Sequence, residues 1–411
     1  MSNQDVQLHS MRLPVLTVDA PTAVFASGQL LSLALNLSIR DICLFNPVLR
    51  LSIRHPGGEM HLFGSDTHES QLFYPWLPCG EYRFNFSWPV SLPAGCYELC
   101  IGWGSVDEVR QPDVVLPIQV QGELEINQVL AATWYPDENS KSRINALSWQ
   151  KGMSNWFHRH FCHAALVIGE SFLAKTPQLQ GRILDIGAGE GITDLGLFLR
   201  YRPSELVAMD IVDYFESLPR VARENDLPLD ALPEGLTFVQ GSCENVPYDD
   251  ASFDIVLSWG SLEHIVGGYR RALDEVWRVL KPGGLFFVNP GLFYSAYGSH
   301  LGEFSQEPHL HLKISEEKLR DLVMNSRPDI MDRAGFDVSN ADYWRFYKEL
   351  NIIRVAEFEA ELKGYGYTIV RAAIRASEMV EYSTELQSHS VLDLAVEDAF
   401  FTLKKPELPG V

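Results

Sequence analysis

Residues 182–191 read RILDIGAGEG, an apolar run that stops on an aspartate and continues into three glycines on alternate positions, followed by the helix-patterned ITDLGLFLRY. A strand, a glycine turn and a helix in that order form the start of a βαβ unit, which commits the surrounding chain to a mostly parallel sheet flanked by helices. The rhythm repeats through ELVAMDI (205–211), LTFVQGS (236–242), FDIVLSW (253–259) and GLFFVNPG (284–291). GYTIVRAAIRA (366–376) and DAFFTLKKP (398–406) then close the edge as a hairpin pair, for seven strands in all. NWFHRHFCHAALVIGESFLAK reads as an amphipathic helix ahead of the first of them.

The first part of the chain keeps a different period. Residues 13–121 alternate apolar and polar side chains in short runs, as in LSLALNLSI, EYRFNFSW, YELCIGW and VVLPIQV, separated by turn chemistry such as HPGGE and LPAG. That pattern predicts an all-β, immunoglobulin-like sandwich over residues 1–121. The polar stretch at 122–145 reads as a linker with a short helix, and residues 146–411 as the α/β domain, with an insertion at about 292–365.

Charge narrows the partners. The 33 basic and 54 acidic residues give a formal net charge of −21, which repels nucleic-acid phosphates and anionic lipid surfaces, so no nucleic acid is expected. The six cysteines show no CxxC pair and read as reduced thiols. MSNQDVQLHSMRLP has no basic segment leading into an apolar core, and no run approaches the roughly 18 apolar residues of a membrane span, so a cytoplasmic protein without an integral membrane segment is expected.

The glycine spacing speaks to the ligand. Dinucleotide sites use GxGxxG with a pyrophosphate over the helix N-terminus, whereas here the loop is GxGxG and Asp185 precedes it. A carboxylate repels a pyrophosphate but suits a cationic amino group. Asp210 ends the second strand, where an acid accepts ribose hydroxyls; GSCENVPYDD follows the third strand; the fourth ends in SWGSLEHI, and LKPGG turns into the fifth. This succession resembles the class I S-adenosylmethionine-dependent methyltransferases over roughly residues 150–300. The resemblance implies a Rossmann-like α/β fold with S-adenosyl-L-methionine as cofactor. It implies that Asp185, Gly187 and Gly189 line the methionine moiety, that Asp210 holds the ribose, that Ser242, Cys243 and Glu244 flank the adenine, and that Ser258 belongs to the same cofactor site. Many relatives carry an acid where Ser242 stands, so the adenine contact here falls to a hydroxyl or a backbone carbonyl.

Acceptor chemistry is carried by histidines. His264 follows Glu263 at the end of the fourth strand and is a candidate general base, or a pocket wall. NPGLFYSAYGSHLGEFSQEPHLHLKIS adds His300, His309 and His311 in an aromatic-rich stretch outside the sheet, a candidate lid and acceptor-binding region; no metal site is expected. The run resembles stretches of methyltransferases associated with glycan synthesis. The β-rich part, through VFASGQLLSLALNLSI, HLFGSDT and LPAGCYELCIGW, resembles the carbohydrate-binding domain of O-antigen ABC exporters, and Phe73, Tyr74 and Trp76 in QLFYPW are candidates for sugar stacking or for core packing. Together these resemblances imply O-methylation of a sugar hydroxyl on a bacterial surface polysaccharide, capping the chain terminus. The alternatives are a small-metabolite or lipid-linked acceptor, and an inactive glycan-binding scaffold. A homo-oligomer is compatible with the chain.

Overall fold

The computed structural model describes residues 14–19, 24–104, 113–122, 131–328 and 338–407. The N-terminal stretch read for a targeting signal lies largely outside them, as do 123–130 of the expected linker and 329–337 of the expected insertion. The chain divides into two compact units: Met1–Gln150 with Ala222–Leu229, and Lys151–Val221 with Asp230–Val411.

Among the described residues the first unit has nine strands: β1 (Val15–Asp19), β2 (Val24–Ala26), β3 (Leu30–Phe45), β4 (Val48–Arg54), β5 (His61–Asp66), β6 (Trp76–Pro89), β7 (Gly95–Gly104), β8 (Val114–Gln121) and β9 (Thr133–Pro136). They form a four-stranded sheet, β1-β3-β6-β9, and a five-stranded sheet, β2-β8-β7-β4-β5. Alternation does the sorting: Leu31, Leu33, Leu35 and Leu37 of β3 with Tyr82, Phe84, Phe86 and Trp88 of β6 point inward, and they meet Leu51, Ile53, Leu99 and Ile101 of the other sheet in one core. Residues 133–145, expected as linker, belong to this unit instead. β9 pairs antiparallel with β6, and the helix Glu138–Asn145 starts on Asp137, whose carboxylate accepts the Ser140 N–H at 2.8 Å. TWYP is short, and polar neighbours conceal a strand whose Trp134 is buried by its partner. Tyr74 and Trp76 are core residues; only Phe73, 59% exposed, remains available at the surface.

The second unit carries a seven-stranded mixed sheet of β10 (Arg182–Ile186), β11 (Glu205–Asp210), β12 (Leu236–Gln240), β13 (Phe253–Trp259), β14 (Leu280–Asn289), β15 (Thr368–Ala376) and β16 (Val396–Lys404). The order is β12-β11-β10-β13-β14-β16-β15. The first five run parallel, and β16 lies antiparallel to both β14 and β15. The central strands are buried on both faces, which is why they read as unbroken apolar runs. The order reverses between β10 and β13, the kind of position at whose carboxyl ends open α/β sheets take their ligands. The expected insertion contains the helices Leu310–Lys313, Glu316–Asn325, Asn340–Glu349 and Val355–Gly364.

Candidate functional site

The glycine loop leaves β10 at that reversal. Gly187, Gly189 and Gly191 all have positive φ (78°, 56° and 73°), and the N–H groups of Gly187 and Ala188 donate to the Met209 carbonyl at 2.8 and 3.1 Å. A Cβ at Gly191 would strike the Phe238 ring and one at Gly187 the Ser261 side chain, whereas one at Gly189 would meet nothing within 4 Å. The loop is therefore packed on both flanks and open at its middle glycine. Asp210 braces it: Oδ2 accepts the Gly189 N–H and Oδ1 the Val212 N–H, each at 2.9 Å, which leaves a lone pair on each oxygen for a diol. Ile211, the next residue after Asp210, is 69% exposed.

Asp185 is buried at 4% exposure, and among the described residues no donor reaches its Oδ1. Asp194, on the buried helix Ile192–Tyr201, also lacks a donor for either oxygen. Two facing buried carboxyls share a hydrogen bond only when one of them holds a proton. Burial pushes Asp185 up to about 7; a bond from protonated Asp194 opposes this, while the charge of Asp210 adds to it. Burial, and then Asp185 itself, raises Asp194 well above the usual carboxylate range. The orphaned Asp185 oxygen, the open middle glycine and the two free positions on Asp210 fit a ligand with an ammonium at one end and a ribose at the other. Asp194 was not anticipated, although an acid inside the apolar run ITDLGLFLRY is the signal that could have found it.

Beyond β12, the Ser242 hydroxyl accepts the Glu244 N–H at 3.2 Å, and burial, then Glu244, pushes the half-buried Cys243 thiol up to about 11. Ser258 lies fully buried near the end of β13.

The turn after β13 brings a second set of groups to the loop. The Ser261 hydroxyl donates to the Gly187 carbonyl at 2.9 Å, tying the turn to the glycine loop. Glu263, 2% exposed, has no hydrogen-bond donor to either carboxylate oxygen among the described residues. His264 Nε2 and His300 Nε2 stand 3.8 and 3.9 Å from the same oxygen, Oε1, with the two rings edge to face at 4.8 Å between centroids. His300 reaches this position in a left-handed conformation, φ 57°, which a non-glycine residue rarely adopts. Gly291 is glycine because a Cβ there would collide with the Glu263 carboxylate. Asn351 clamps the turn: Nδ2 donates to the Leu262 and Ile265 carbonyls at 2.8 and 2.9 Å, and its backbone N–H donates to the Glu263 carbonyl at 2.7 Å. No pattern in the sequence marks Asn351.

His309 and His311 do not join this cluster. Their Nε2 atoms bond the Leu394 and Phe293 carbonyls at 3.0 and 2.7 Å, and burial lowers His311 to about 4. Both pin the segment that presents His300.

The fold and this loop define a class, and residues 184–288 match the family model described as "Methyltransferase domain". The second unit carries an S-adenosylmethionine-dependent methyltransferase domain. The chain is 31% identical over 157 residues to the phthiotriol/phenolphthiotriol dimycocerosates methyltransferase of Mycobacterium tuberculosis, covering 37% of this chain and 55% of that one. It is 32% identical over 118 residues to the ubiquinone/menaquinone biosynthesis C-methyltransferase UbiE of Rickettsia akari, covering 28% and 47%. The chain thus spans about half the length of the curated relatives it matches. Among solved structures, YcgJ from Bacillus subtilis is similar at 20% identity, covering 60% of this chain and all of that one, with a TM-score of 0.36.

Proposed function

We propose that the protein transfers a methyl group from S-adenosylmethionine to a hydroxyl oxygen, and that the acceptor is a sugar of a bacterial surface polysaccharide. The observation that carries the reading is the juxtaposition of a cofactor loop with an acceptor-side cluster, linked by the Ser261–Gly187 hydrogen bond. When bound, S-adenosylmethionine supplies the electrophilic methyl group. Asp185 would hold the ammonium, Asp210 the ribose hydroxyls, and Ser242, Cys243 and Glu244 would border the adenine. Glu263, His264 and His300 face the acceptor, whose hydroxyl must lose its proton as its oxygen attacks; an imidazole beside a buried carboxylate is suited to that step.

The glycan part of the reading draws on the first unit, which we read as an immunoglobulin-like sandwich. On the outward face of its four-stranded sheet, Arg83 pairs with Asp19 at 2.9 Å and donates to Asn36 at 3.1 Å. A shallow groove of about 410 Å³ there is lined by Asp19, Ser32, Arg83, Asn85 and Tyr135, whose ring is 51% exposed. Planar polar groups around one exposed aromatic suit sugar hydroxyls and a sugar face. Methylation of the terminal sugar would cap the chain. Calorimetry of the full-length protein with surface polysaccharide tests this: binding that is weakened by Tyr135→Ala supports it, and no affinity for any glycan removes it.

A second reading has one specific support, the similarity to a phthiotriol/phenolphthiotriol dimycocerosates methyltransferase and to a C-methyltransferase of ubiquinone/menaquinone biosynthesis. On that reading the acceptor is a lipid alcohol or a quinone, and such acceptors would be methylated with no glycan present.

A further inference from the structure

We propose that Glu263, His264 and His300 form a binding site for a divalent first-row metal ion, zinc above all, which holds the acceptor oxygen beside the cofactor loop. The proposal rests on the acceptor-side reading of this cluster and adds the agent that acts there. Three observations carry it.

The first is the state of Glu263. Glu263 is 2% exposed, and among the described residues no hydrogen-bond donor reaches either carboxylate oxygen, so its lone pairs are left open to a cation.

The second is spacing. The two imidazole Nε2 atoms lie 3.8 and 3.9 Å from Glu263 Oε1, too far for the hydrogen bonds that would satisfy it. All three donor atoms lie within 4.8 Å of one another. Donors about 2.1 Å from a common ion in a tetrahedral shell stand roughly 3.4 Å apart, so modest side-chain rotations close the set on a metal. Two imidazoles and one carboxylate with a fourth position open is the donor set of catalytic zinc, and its nitrogen content disfavours magnesium and calcium.

The third is the support of the cluster. Asn351 fixes the turn bearing Glu263 and His264, Gly291 leaves room for the carboxylate, and His300 is held at φ 57°. Donor atoms held this close by such bracing, one of them on a carboxylate that no donor reaches among the described residues, are organised to take up an ion.

With the ion in place the imidazoles are ligands and no longer the base that the metal-free cluster would supply. The acceptor hydroxyl takes the open position and its acidity rises, as that of metal-bound water does, so its proton leaves to bulk water. The oxygen lone pair then forms the O–CH3 bond, the C–S bonding pair stays on sulfur, and the products are a methyl ether and S-adenosylhomocysteine.

The test uses the full-length protein, stripped with a chelator and titrated with ZnCl2, MnCl2 and CoCl2 by calorimetry, with Co2+ absorption reporting the coordination shell. One zinc ion should bind per chain, and Co2+ should give the visible spectrum of a four-coordinate site. Glu263→Gln and His300→Ala should each weaken zinc by roughly tenfold or more, since even outer partners of metal ligands act on that scale. Circular dichroism and thermal stabilisation by S-adenosylhomocysteine should be unchanged in both variants. Zinc uptake no greater than that of the triple variant Glu263→Gln, His264→Ala, His300→Ala overturns the proposal, as does full methyl transfer after metal removal. Zinc binding without any stabilisation by S-adenosylhomocysteine leaves the metal site standing and removes the methyltransferase reading instead.

Discussion

Binding of S-adenosylhomocysteine should titrate with Asp185. Its carboxyl is pushed up to about 7 by burial, with protonated Asp194 bonded to it and Asp210 adding its charge. The ligand ammonium needs the ionised form. With a pKa near 7, about a tenth of Asp185 is ionised at pH 6 and about nine tenths at pH 8, so affinity should rise roughly tenfold across that interval and then level off. The folded pKa lies above the unfolded value, so the contribution of this group to the ligand-free fold is fully present below the usual carboxylate range. It is lost as pH rises through 7, and the ligand should offset that loss. Asp194→Asn keeps an N–H donor for Asp185 and should leave the midpoint near its wild-type position. Asp194→Leu removes the donor and should move the midpoint upward, weakening binding at pH 7.5. Asp185→Asn loses a charged hydrogen bond of about 1.5–3 kcal/mol, a tenfold to hundredfold weakening at pH 8. Calorimetry from pH 5.5 to 8.5 reads all four proteins. Affinity independent of pH between 6 and 8 in the unmodified protein, or full affinity in Asp185→Asn, would mean that Asp185 does not hold the ammonium.

Other perturbations separate the loop, its brace and the β-rich core. Gly189→Ala adds a Cβ that meets no protein atom within 4 Å, so it should cost only about 1–2 kcal/mol of stability through its positive φ yet sharply weaken S-adenosylhomocysteine binding; denaturant unfolding and calorimetry check the two effects separately. Asn351→Ala removes the side-chain bonds to the Leu262 and Ile265 carbonyls, each worth about 1 kcal/mol; kcat should fall while cofactor affinity holds, as steady-state kinetics will read. Trp76→Ala should destabilise the first unit by about 3–5 kcal/mol, and Phe73→Ala by less than about 0.5 kcal/mol, in chemical unfolding followed by tryptophan fluorescence.

Much of the second unit was legible because its signals are local. Each parallel strand is a short apolar run, and the GxGxG turn requires the positive φ angles found at Gly187, Gly189 and Gly191. Strand β9 was less legible: TWYP has too few residues to show a period, and only pairing with β6 makes it a strand. The histidines show the same limit. His264, His300, His309 and His311 look alike in sequence, but only the fold turns the first two toward Glu263 and the last two onto backbone carbonyls. Asn351 lies 88 residues beyond Glu263 and binds backbone atoms, so no motif announces it.

The decisive experiment is to incubate the full-length protein with isotopically labelled S-adenosylmethionine and polysaccharide from its source, then locate the label by mass spectrometry. A sugar O-methyltransferase will leave a labelled methyl ether on a sugar oxygen, formed only with the glycan present and lost in Asp185→Asn. Efficient labelling of a quinone or lipid alcohol, with none on the glycan, would contradict it.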